Sequence, residues 1–179
     1  MKSFIAPLIT AILFSTNAVA AEKAIPIGID LGTATCAQIN EAKAAEWSLA
    51  HTGVSVWSGG PILESANLNI PGLAQATNLL IICDEQGRSI HVSMTIPKSD
   101  VQGIAQSLDK KYKTIQRKLP NLGNGLAKWT ASNADIKIEY VHVSFTATLA
   151  YDTKEASKLW AAYVKAQSEK KRQETASQL

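Results

Sequence analysis

Apolar and polar residues alternate with a period of two along most of this chain, the pattern of half-buried strands. Ile90, Val92, Met94 and Ile96 alternate with His91, Ser93 and Thr95. Ile136, Ile138 and Tyr140 alternate with Lys137 and Glu139, and Val143, Phe145, Ala147, Leu149 and Tyr151 alternate with Ser144, Thr146 and Thr148. Weaker strand signals precede two Gly/Pro turns: Val54 and Val56 before Gly59-Gly60-Pro61, and Ala66, Leu68 and Ile70, alternating with Asn67 and Asn69, before Pro71-Gly72. Leu79 to Cys83 is a continuous apolar run that predicts a central strand, followed by a hairpin loop over Asp84 to Gly87. Thr114 to Leu119 and Leu126 to Thr130 flank the loop at 120–125, and Ser132-Asn133-Ala134 makes a further turn. Ile25 to Ile29 reads as a short strand in which Pro26 suits a first or edge position.

Helical spacing breaks this pattern in three places. Thr35 with Gln38 predicts a capping box at the start of a helix from Cys36 to about Trp47, although its apolar stripe is weak. Ser99 with Gln102 predicts a second capping box, and Val101, Ile104, Ala105, Leu108 and Tyr112 then fall on one helical face. A last helix starts near Thr153 and is expected to bury Ala156, Leu159, Trp160, Tyr163 and Val164. The stripe stops at Ala166, which predicts a fraying polar tail over 165–179.

These elements predict an α+β fold, antiparallel sheet with helices packed on one face. Helix followed by Gly/Pro-punctuated strands occurs twice, with helix starts at Thr35 and Ser99. Two tandem helix-plus-meander units, 25–97 and 98–164, are therefore expected within one domain over 21–164. The first twenty residues are of another kind. Lys2, an apolar run from Phe4 to Phe14 too short to span a bilayer, and Ala18-Val19-Ala20 form the pattern of a cleaved export signal. The mature chain is thus expected to be soluble and periplasmic or secreted, starting near Ala21, with no membrane span after cleavage. No Cys follows the cut and no Arg pair precedes the apolar run, which points to the general secretory route without lipidation.

Composition changes this picture little. Of 179 residues 46% are hydrophobic and 18% charged, as in ordinary globular proteins. Eighteen Lys and Arg against fifteen Asp and Glu leave no concentrated basic face, so nucleic acid is not an expected partner. The run from Lys165 to Arg172 reads as a solvated helix end. Cys36 and Cys83 are either a disulfide, which an oxidising compartment allows, or two separate buried thiols.

Candidate chemistry is sparse. His51, His91 and His142 lack the short-spaced partners a zinc site needs, and no cofactor, metal or catalytic residue is expected. Ser58-Gly59-Gly60 and Ser132-Asn133 lack the context of a nucleophile elbow. Asp84-Glu85 and Asp135 with Glu139 lack the opposed arrangement of glycosidase carboxylates. A thiol enzyme using Cys36 or Cys83 stays open, because a Cys at a helix N-terminus has a lowered pKa. Among the four tryptophans Trp57 and Trp129, near Gly-rich loops, are candidates for a partner-binding surface, with edge or core packing as the alternative.

Ile27-Gly28-Ile29-Asp30-Leu31-Gly32-Thr33 resembles the first phosphate-binding strand-turn of the Hsp70 and actin-like ATPases. The likeness ends where that family continues as a strand and this chain turns helix-like at Thr35. Leu31-Gly32, Thr35-x-x-Gln38 and Ser99-x-x-Gln102, with the meander after each helix, resemble two other groups. These are exported domains of the SmpA/OmlA type and the tandem units of the β-lactamase-inhibitor protein. That resemblance implies a binding or assembly protein without catalytic residues. The expected function is therefore an exported, non-enzymatic domain that binds another protein or a cell-envelope component. The alternative is a small secreted hydrolase or thiol enzyme.

Overall fold

The computed structural model describes residues 22–68, 70, 73 and 75–177. The export signal and its cleavage site, Asn69 and the Pro71-Gly72 turn lie outside the described residues.

Eight strands form one antiparallel sheet with three α-helices, an α+β fold. The first unit is α1 (Cys36–Trp47), β1 (Ala50–Val54), β2 (Gly59–Asn67), β3 (Thr77–Asp84) and β4 (Ser89–Pro97). The second is α2 (Val101–Lys111), β5 (Lys113–Lys118), β6 (Gly125–Thr130), β7 (Ala134–Tyr140) and β8 (Thr146–Thr153), and α3 (Lys154–Ala176) follows. The strand order β1-β2-β3-β4-β8-β7-β6-β5 is palindromic. Each unit is a helix followed by a four-stranded meander, and the units join through their last strands, β4 and β8. That seam runs unbroken from His91 opposite Asp152 to Pro97 opposite Thr146.

Side-chain parity places the core. Leu79, Ile81 and Cys83 of β3, Val92, Met94 and Ile96 of β4, Leu149 and Tyr151 of β8, Ile136 and Ile138 of β7, and Ala127 and Trp129 of β6 are buried on one face. Ile39 and Trp47 of α1 and Val101, Ala105 and Leu108 of α2 complete the same core. α1 starts with the capping box read from its sequence: the Gln38 N–H donates to Thr35 Oγ1, and the Thr35 N–H donates to Gln38 Oε1.

Several boundaries differ from the sequence reading. Pro26–Gly28 is a 3₁₀ turn with Ile27 at φ 47°, not a strand. The Gly32 N–H donates to the Ser89 carbonyl, so an amide of the ATPase-like motif serves the fold instead of a phosphate. The first hairpin turns at 55–58, and Val56 is exposed there. Gly59-Gly60-Pro61 is strand, not turn. A Cβ on Gly60 would overlap the Cys83 and Asp84 carbonyls, and the β2–β3 register skips beside Pro61, which has no N–H to give. Ser99 does not cap α2; it donates to Asp100 in a preceding 3₁₀ turn, while Gln102 donates to the Leu119 carbonyl. β8 begins only at Thr146, so Val143 and Phe145 stand in the β7–β8 loop, 83% and 93% exposed. The expected fraying tail is helical to Ala176.

Candidate functional site: an open sheet face crossed by a C-terminal helix

The sheet face opposite the core carries the residues that alternate with it. Strand pairing arranges them in rows. Ile82, His91, Asp152 and Asp135 form one row across β3, β4, β8 and β7. Leu80, Ser93, Ala150 and Lys137 form the next, and Thr95, Thr148 and Glu139 a third. α1 and α2 pack on the other side, so among the described residues α3 is the helix that lies against this face. The Thr153 Oγ1 caps α3 by accepting from the Ala156 N–H at 3.1 Å. The first two turns of the helix lie against the face, with Ala156 buried and Trp160 set edge-on to Trp57, ring centroids 5.9 Å apart.

Between α3 and the sheet lies a cleft of about 440 Å³. Trp57, Trp160, Leu80, Ile82 and Ala156 form its apolar wall, and Ser93, His91, Asp152, Lys137 and Glu139 its polar floor. On that floor His91 Nδ1 is 2.6 Å from Asp152 Oδ1, and His91 Nε2 is 2.9 Å from Ser93 Oγ. An ionised carboxylate only accepts, so the neutral imidazole carries its proton on Nδ1. Nε2 then accepts from the Ser93 hydroxyl. Lys137 pairs with Glu139 at 2.9 Å.

Of the candidates singled out from sequence, the cleft gathers Trp57, His91 and Glu139 but not the others. Trp57 lines it. Trp129 points to the other face, 1% exposed, and donates from Nε1 to Asp109 Oδ1 at 2.7 Å; it belongs to the core and offers no partner surface. Trp160, read as core, is 51% exposed and shapes the cleft instead. Cys36 and Cys83 come to disulfide distance, Sγ–Sγ 2.06 Å and Cα–Cα 6.2 Å, buried under α1. No described cysteine is free. His142 is a loop clamp: its Nδ1 accepts from the Gly123 N–H and its own N–H donates to Asn124 Oδ1. Asp84 is buried and held by Arg88, whose guanidinium that carboxylate drives above its usual pKa. Among the described residues no three His, Cys, Asp or Glu side chains are placed to hold a metal ion.

Comparison with protein-family models, with curated proteins and with solved structures finds no match.

Sequence reasoning missed the Ser93–His91–Asp152 chain. Parity on β4 already put His91 and Ser93 on one face. Asp152 is sixty-one residues from His91 and joins them only through the β4–β8 seam, which local sequence does not announce.

Proposed function

We propose that this chain is an exported binding domain that holds another protein or a cell-envelope component in the cleft between α3 and the open sheet face. The observation that carries this reading is the cleft itself. An antiparallel sheet buries one face by default, and here the second face is neither bare nor sealed but roofed by a single helix with an aromatic pair at one end. Aromatic walls around a polar floor are the composition of recognition sites. The exposed Leu122, Val143 and Phe145 at the loop end of the second unit add apolar area that a partner would cover.

Export is supported by the leader pattern in the sequence and by the cysteine pair at disulfide distance, a bond that persists in oxidising compartments. Among the described residues no helix is long and apolar enough to cross a membrane. Each unit is a helix followed by a four-stranded meander, the arrangement that the resemblance to the β-lactamase-inhibitor protein and to SmpA/OmlA-type domains implies, although among the described residues no strand precedes the capped helix α1. A thiol nucleophile fits poorly, since both sulfurs are paired.

Site-specific photo-crosslinking tests the reading. A photoreactive residue at Leu80 or Trp160 should trap one envelope species reproducibly, and Trp57→Ala should reduce that yield by at least fivefold. A residue at the exposed Lys171 should trap none. Equal trapping from all three positions, or none from the cleft, would refute a cleft-bound partner.

A further inference from the structure

We propose that Ser93 is an acylatable nucleophile, with His91 as its general base and Asp152 as the positioning residue that holds the imidazole, acting on carboxylic esters with a short apolar or aromatic acyl group. This goes beyond partner binding. It rests on the cleft being a ligand site, not on which partner fills it.

The geometry carries the assignment. A hydroxyl is a weak nucleophile until a base within hydrogen-bond reach takes its proton, and a third group must fix which nitrogen of that base is free. All three conditions hold: Asp152 Oδ1 at 2.6 Å from Nδ1 leaves Nε2 free, 2.9 Å from Ser93 Oγ. Neither contact follows from the fold alone, because an exposed strand face needs no side-chain relay. The hydroxyl also faces a cavity. Ser93 is 9% exposed and lines the cleft, whose volume of about 440 Å³ is that of a small-molecule site.

An acyl nucleophile also needs a partner for the oxyanion. β4 and β8 are interior strands, each paired on both sides, with β3, with each other and with β7, so a side chain must serve. Lys137 stands in the row of Ser93, separated from it by Ala150, and all three line the cleft. Its ammonium, held by Glu139 at 2.9 Å, can swing across that gap toward a developing negative charge. Leu80, Ile82, Trp57 and Trp160 supply the apolar wall for the acyl group.

In the step itself Ser93 Oγ bonds to the ester carbonyl carbon and its proton passes to His91 Nε2. The carbonyl electron pair moves to the oxygen, facing Lys137. Collapse breaks the bond to the alcohol, which leaves with the proton from His91. Water then repeats the sequence, releasing the carboxylic acid and restoring Ser93. Nothing is oxidised or reduced.

A fluorophosphonate probe, whose fluoride Ser93 would displace, tests this on the folded, oxidised protein, with peptide mass mapping to locate the adduct. One adduct at Ser93 is expected, absent in Ser93→Ala and unchanged in Ser107→Ala, an exposed serine of α2 on the opposite side of the sheet. His91→Gln should slow labelling about 100-fold or more, the scale of a lost general base. The labelling rate should depend on pH, and His91→Gln should abolish that dependence. Asp152→Asn should change the midpoint of that profile as well as its plateau, which a purely structural role would not do. Asp152, Lys137 and Glu139 are the charged groups lining the cleft around His91, and β3 and α3 bring only uncharged ones there. Hydrolysis of p-nitrophenyl butyrate should be lost in Ser93→Ala and slowed in Lys137→Met. Thermal unfolding of each variant confirms that it is folded. No adduct on the folded protein, or labelling undiminished in Ser93→Ala or His91→Gln, would overturn the proposal. Photo-crosslinking from Leu80 would be untouched by that result, so failure of the nucleophile and failure of the binding site read out separately.

Discussion

Three tyrosines show how single side chains set the pH range of the fold. Tyr151, 8% exposed beneath the helices, has its phenol pushed far upward by burial and secondarily by Tyr112. Burial likewise raises Tyr112 and Tyr140, and the Tyr140 hydroxyl donates to the Pro120 carbonyl at 2.7 Å. A phenol whose folded pKa lies above its unfolded value of about 10 keeps its full contribution below that pH. As pH rises further, the unfolded chain releases its proton first, and stability falls until the folded phenol also titrates. The melting temperature should therefore decline steadily above pH ~10. Tyr151→Phe, which keeps the ring and removes the titrating group, should flatten that decline. Melting curves from pH 8 to 11.5 on both proteins check this. Single residues were unevenly legible in the sequence. Thr35 and Gln38 could be read as a cap because capping is completed within four residues. Gly60 could not be read as a strand residue, because the carbonyls that exclude a Cβ belong to β3.

At the scale of elements α3 departs most from expectation. Its sequence stripe ends near Val164, yet the helix continues to Ala176 with the residues beyond Lys165 exposed. Lys165–Glu169 and Lys170–Glu174 pairs at i,i+4 support that length, each worth only about 0.3–0.5 kcal/mol. Removing residues 166–179 should thus leave the melting temperature within about 2 °C, since every described side chain from 166 to 177 is exposed. Thermal unfolding of the truncated and full chains decides it, and a large fall would mean that the distal helix is packed. β4 and β7 were legible because strict alternation has one reading once a face is buried. β1 and the start of β2 were not. Their residues are mostly exposed or glycine, so the hairpin at 55–58 is set by backbone contacts with little hydrophobic pattern.

At the scale of the whole molecule two meanders share one sheet, and the Cys36–Cys83 pair ties α1 to a central strand across a separation of 47 residues. A cross-link closing so long a loop contributes about 4 kcal/mol by restricting the unfolded chain. Cys36→Ala/Cys83→Ala should lower the melting temperature by roughly 8–16 °C for a chain of this size, with the sheet retained. Calorimetry of the double variant beside the oxidised protein measures it, and an unchanged midpoint would show that the pair is not bonded in solution.

By itself the sequence determined the α+β class, most strands, the helix at Cys36 and the twofold use of helix and meander. These follow from local periodicity and capping, which act over a few residues. Only the tertiary structure decided that the meanders join through β4 and β8, that Trp129 is core while Trp160 is surface, and that Asp152 meets His91 beside Ser93. Those outcomes depend on which strands pair and which face the helices cover. Alternation says only that two faces differ; the β4–β8 register and the path of α3 determine what stands beside what.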